Sequence, residues 1–136
     1  MLKVIISGNE YECNYVEELK LSEETINQDL QRQASLFAFY SILFVKADGV
    51  LRTTESRLNN EVRDAFLAAG EKFSEKRIES TVFLDGEYIT AKETCDVLKY
   101  ISEAFKINKD MAITLAANMR KQCDPEFVTR SKEIGD

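Results

Sequence analysis

The sequence predicts a mainly α fold: a long antiparallel helical hairpin, coiled-coil-like, with a short N-terminal β-hairpin, in a chain that oligomerises. Three observations predict it. A single proline, Pro125, and five glycines interrupt 136 residues, so the elements run long. Leu30, Phe37, Phe44, Leu51, Leu58 and Ala65 fall seven apart, and Ala91, Leu98, Phe105, Ala112 and Met119 repeat that spacing later in the chain. Residues 2–15 instead alternate apolar and polar, which is the period of a strand.

A chain of this length fits one domain, 1–136, able to bury roughly two-thirds of the surface its unfolded form exposes. It opens with a β-hairpin over 1–16. A Gly8-Asn9 turn would pair Ile6 with Tyr11, Val4 with Cys13 and Leu2 with Tyr15, leaving one apolar face. A lone hairpin is marginal in water, so that face must pack on the helices or on another subunit.

The first long helix is expected over 22–70. Ser22 caps it, Glu23 and Glu24 complement its dipole, and Leu21 and Ile26 stand at the staple positions. Asp48-Gly49 is its weakest point and a candidate kink. Gly70 ends it. Ser74 starts a short helix over 74–84, with Phe73 and Ile78 repeating the staple. Asp85-Gly86 bends the chain into a second long helix over 86–123, whose stripe is completed by Cys95, Ile101, Leu115 and Ala116. A polar tail, 124–136, follows. Two seamed helices joined by a compact turn fold back on each other. The first stripe is wider than a two-helix seam needs, so Leu30, Phe37, Tyr40, Phe44, Leu51 and Leu58 are expected to carry contacts between subunits.

Much chemistry is missing. There is no histidine, which removes Ser-His-Asp and Cys-His catalysis and every histidine metal site. There is no GxGxxG and no Walker A loop. Glu17-Glu18 and Glu23-Glu24 read as helix-start electrostatics rather than a cation site. Cys95 lies on the apolar stripe and reads as packing, not as a nucleophile. The expectation is a protein with no catalytic site, no cofactor and no metal. Cys13, Cys95 and Cys123 form no CxxC and read as free thiols of a reducing compartment. No apolar run approaches 18 residues, so no membrane span is expected and the chain is placed in the cytoplasm.

The net charge of −6 excludes a broad basic surface of the histone type but leaves room for a local patch. Arg57, Arg63, Lys72, Lys76 and Arg77 cluster around the turn between the long helices, with Phe66 and Phe73 among them. Cations with aromatics are what single-stranded nucleic acid binding uses. Six carboxylates share the same stretch, Glu55, Glu61, Asp64, Glu71, Glu75 and Glu79, as an ordinary solvated helix end would show. Arg120 and Lys121 would lie at the far end of the hairpin, pairing with Glu23 and Glu24 or complementing the helix dipole.

The run from Glu23 to Phe66, the Ile78, Val82, Asp85, Tyr88 segment and the closing Leu115, Asn118, Arg120 resemble the UvsY-like recombination mediator family of tailed phages. The resemblance covers about 24–123 and excludes the N-terminal hairpin. It implies a protein without catalysis that forms rings and binds single-stranded DNA non-specifically. Such a protein helps load a RecA-like recombinase onto DNA coated by single-strand-binding protein, in the cytoplasm of an infected bacterial host cell. It implies DNA contacts late in the first long helix, where LNNEVRDAF holds Arg63 as its plain cation; Arg57 and the Lys72, Lys76, Arg77 group would supply the rest. Two other readings stay open on the residues: a helical structural or adaptor phage protein, and an acidic anti-defence inhibitor.

Overall fold

The computed structural model describes residues 1–123, so the expected polar tail lies outside the described residues. Strands β1 (Leu2–Ile6) and β2 (Asn9–Cys13) form an antiparallel hairpin. A short helix α1 (Tyr15–Glu18) and a 3-10 turn (Glu23–Thr25) lead into α2 (Ile26–Ala69). Then come α3 (Glu75–Phe83) and α4 (Gly86–Cys123). Helix α1 was not expected from the sequence.

Helix α2 forms over 44 residues, about 66 Å at about 1.5 Å per residue. It runs unbroken through Asp48-Gly49. Its entry departs from the reading: Ser22 caps the 3-10 turn ahead of it, its Oγ accepting from the Glu24 amide, while α2 itself begins at Ile26 behind Thr25, whose side chain makes no capping bond. The expected Leu21 and Ile26 contact does form, both lying in one cluster. Its exit is a Schellman turn. Gly70 takes φ 69°, its amide donates to Leu67 O, and the Glu71 amide donates to Phe66 O. Ser74 Oγ accepts from the Arg77 amide to start α3, and Asp85 Oδ1 accepts from the Glu87 amide at the start of α4.

Helix α4 returns antiparallel along α2, with Ser41 bonded to Ser102 at 2.9 Å and Gln33 to Asn108 at 2.8 Å. Three clusters line the interface. Leu58, Ile78 and Val82 close the turn end; Ile26, Ala112 and Ala116 close the other. Between them lies the main core of Tyr40, Leu43, Ala47, Leu51, Cys95, Leu98, Ile101 and Phe105, on which Val4, Ile6 and Cys13 of the β-hairpin rest. Tyr40 stacks on Phe105 with centroids 4.8 Å apart. Fully burying a large apolar side chain is worth about 1.5–3 kcal/mol, so this middle layer dominates stability.

The hairpin register departs from the sequence reading. The turn is Ser7-Gly8, both at positive φ, and Ile6 pairs with Asn9, Val4 with Tyr11 and Leu2 with Cys13. Every pairing moves by two residues, so the inward face is unchanged. The turn chosen keeps Asn9 in the ladder and sets both central residues at positive φ, as a type I′ two-residue turn requires.

The α2 stripe is rotated from the expected one. Its most buried column is Ile26, Gln33, Tyr40, Ala47 and Thr54, not Leu30, Phe37, Phe44, Leu51, Leu58 and Ala65. Ala65 is exposed; Leu30, Phe37 and Phe44 are half-buried. Tyr40, Leu51 and Leu58, expected between subunits, are covered within their own chain. Helix α2 must serve α4 on one side and the β-hairpin on the other, and the polar members Gln33 and Thr54 disguised the true centre.

Helix α2 is also more apolar than a count of uncharged runs suggested. An 18-residue stretch has mean hydropathy 1.5, enough by length and composition for a membrane span, with only 17% of it buried. Lys46 and Asp48 interrupt the run without lowering its average far.

Candidate nucleic-acid interface

The turn end of the hairpin gathers the expected cations because three local signals bend the chain there: the left-handed Gly70, the Ser74 cap and the Asp85 cap. Folding back brings Phe73 against Phe66, stacked at 5.7 Å between centroids. The Arg77 guanidinium sits 4.5 Å over the Phe66 ring and that of Arg63 sits 5.9 Å from the Phe73 ring. Arg63, Lys72 and Arg77 therefore belong to one patch, Lys76 follows on the first turn of α3, and Arg57 lies nearer the start of α4.

The same geometry engages most of that charge. Arg63 forms a two-pronged pair with Glu75 at 2.8 and 2.7 Å. This raises the arginine's pKa and lowers the carboxylate's. Arg57 bridges Glu87 and Glu61, and those bonds raise its pKa, Glu87 contributing most. Arg77 holds Glu71 at 3.2 Å and donates to the Lys72 carbonyl at 2.9 Å. Among the described residues Lys72 and Lys76 form no ion pair. These pairs are solvent-exposed, so a phosphate can compete for the guanidinium groups. Each phenyl ring thus has the other ring on one side and an arginine guanidinium close by.

The opposite end differs. Leu21 and Ile26 meet Ala112, Ala116 and Met119, which places Arg120 and Lys121 near the start of α2. The expected pairing with Glu23 and Glu24 does not form: among the described residues neither cation makes an ion pair.

The sequence reading missed a buried polar latch. Arg32 and Gln33 both donate to the Glu18 carbonyl, at 2.7 and 2.6 Å, and Asn108 donates to the Leu19 carbonyl at 2.9 Å. The Tyr40 hydroxyl donates to Glu18 Oε1. The link from hairpin to helix is thus fastened to both long helices. Its signal was present as Gln33 and Asn108 standing at stripe positions where an apolar residue was expected.

Cys13 and Cys95 are free and buried, and burial is the main cause raising both thiols. That makes them packing groups rather than nucleophiles. Among the described residues no three metal-ligating side chains converge. A cleft of about 520 Å³ opens between β1, α2 and the start of α4, lined by Ile5, Ile6, Val50, Thr54 and Thr90 with Glu87 at its edge. In comparisons with known proteins no family model matches the chain, and no curated protein or solved structure matches it either.

Proposed function

We propose that this protein is a recombination mediator without catalytic activity, of the UvsY-like kind. It binds single-stranded DNA non-specifically as a homo-oligomer and helps load a RecA-like recombinase onto strands held by single-strand-binding protein. The observation that carries the reading is the turn-end patch: Arg63 and Arg77 laid on the Phe66–Phe73 stack, with Lys72 and Lys76 beside them. Arginine on an aromatic face, next to lysines that form no ion pair among the described residues, offers a sliding strand both phosphate and base contacts, with no base edge read. The absence of histidine agrees with positioning rather than chemistry. The setting is the cytoplasm of an infected bacterial cell, and no cofactor is needed.

A specific observation favours a second reading, a structural or adaptor protein of a phage. Arg57, Arg63 and Arg77 already hold Glu61, Glu87, Glu75 and Glu71, which is how a helix end stabilises itself. The two readings part in a titration with single-stranded DNA at low salt. The mediator binds and loses affinity as salt rises, and Arg63→Ala weakens it on every sequence alike. An adaptor shows no binding at any salt.

A further inference from the structure

We propose that copies of this chain associate head to tail, the outer face of α2 in one copy docking on the outer face of α4 in the next. This names the surfaces behind the oligomer assumed above, and it stands or falls without nucleic acid.

Helix α2 turns a continuous apolar face outward: Phe39, Ile42 and Val45 are 42, 56 and 66% exposed, bordered by the small residues Ala38 and Gly49. They follow helical spacing on the side away from the Tyr40, Ala47 and Thr54 column. In a chain of net charge −6, no exposed position of α2 from Asn27 to Arg57 is acidic, Glu55 being half-buried; the exposed charges there are Lys46, Arg52 and Arg57, the last of which also holds Glu61 and Glu87. Asp48, half-buried, turns toward Cys95 of α4 and pairs with Arg52.

Helix α4 carries the complement. Val97, Tyr100, Ala104, Ile107 and Met111 repeat at alternating three and four residues, the spacing of a coiled-coil seam. Tyr100, Ile107 and Met111 are 70, 62 and 57% exposed. This seam lies off the Leu98, Phe105 and Ala112 column that packs inside the chain. Glu93, Asp96, Glu103 and Asp110 border it.

Both faces stay exposed beside the core that α2 and α4 share, so within one chain neither covers the other. Pairing α4 with its own copy in antiparallel fashion would set Asp96, Glu103 and Asp110 against the same three acids, which opposes assembly. Pairing α2 with α4 sets cations against acids and one apolar seam on another. Such a contact joins unlike faces, so it propagates from copy to copy and closes into a ring or runs on as a filament.

Sedimentation velocity of the full chain tests this with two single-face variants, Ile42→Asp and Ile107→Lys, helicity being checked by circular dichroism. The wild type should sediment as two or more copies and each variant as a monomer. An equimolar mixture should give a dimer with one copy of each, since each retains the face the other has lost. The proposal is overturned by a monomeric wild type, including one that instead binds phosphatidylcholine vesicles through these faces. It is equally overturned by either variant keeping the wild-type assembly, or by a mixture that stays monomeric. Where a variant loses helicity, charge reversals replace it: Lys46→Glu with Arg52→Glu, and Glu103→Lys with Asp110→Lys. Each pair alone should weaken assembly about tenfold, and both pairs in one chain should restore it; failure of that restoration rejects the docking.

Discussion

Asp29 shows how single residues set the frame. Its Oδ2 accepts from the Ser22 amide at 3.0 Å and from Thr25 Oγ1 at 2.9 Å, while Arg32 donates to Oδ1 at 3.2 Å. These bonds, the Ser22 amide first, hold its pKa below the ordinary carboxylate value. A carboxylate depressed in the folded state stabilises above its unfolded pKa and loses that contribution as pH falls through the folded value. Asp29→Asn should therefore cost about 1–2 kcal/mol at neutral pH. In urea melts the gap to wild type should narrow below pH 4, where an unchanged gap would contradict the assignment. Tyr40 works at the other end of the scale, its pKa raised chiefly by burial and then by its bond to Glu18. A tyrosine raised on folding gives stability that is whole below about pH 10 and lost above it. Tyr40→Phe should keep the Phe105 stack, be less stable than wild type near neutrality, and lose less stability above pH 10. Neither role was legible in the sequence. A short polar side chain on a helical stripe looks like an interruption until the partner backbone, here residues 18–22, is seen beneath it.

The elements answer to backbone geometry more than to composition. Gly49 sits in the interior of α2, where an added Cβ meets nothing within 4 Å. Gly70 stands at φ 69° beyond the last turn. The same substitution should thus act with opposite sign. Gly49→Ala should stabilise by up to about 1 kcal/mol through helix propensity, and Gly70→Ala should destabilise by about 1 kcal/mol through left-handed strain. Thermal melts that move both variants in one direction would contradict this. The Ser7-Gly8 turn permits a third comparison: Ser7 at φ 51° favours asparagine, so Ser7→Asn should raise the melting temperature slightly. Helix boundaries at the turn end were legible because Gly70, Ser74 and Asp85 are capping residues at the right offsets, whereas Ser22 caps a 3-10 turn and α2 starts only at Ile26. The hairpin's face was legible from its alternation, but not its register, since Ser7-Gly8 and Gly8-Asn9 both satisfy a two-residue turn and only packing chooses. The α2 seam was misplaced for a related reason: a helix touching two neighbours has a wider apolar arc than its true centre.

At the scale of the molecule, the antiparallel hairpin with a β-hairpin on its middle layer follows from two seams and one tight turn. The layout of the fold was therefore largely legible. The candidate site was legible only in part. The clustering of Arg57, Arg63, Lys72, Lys76 and Arg77 at one end came from the sequence, but their pairing did not. Which carboxylate meets which arginine depends on the path of residues 70–75 and on where α4 begins. The proposed function requires these paired cations to serve a strand. Fluorescence anisotropy of a labelled oligothymidylate, titrated across salt, tests it most directly. Wild type should bind at low salt with a slope of about 0.7 per phosphate contact in log affinity against log salt. Removing Arg57 and Arg63 together should weaken binding and flatten that slope, while removing Arg120 and Lys121 should leave both unchanged. No binding at low salt, or loss confined to the Arg120 and Lys121 variant, would contradict a strand-binding role for the turn-end patch.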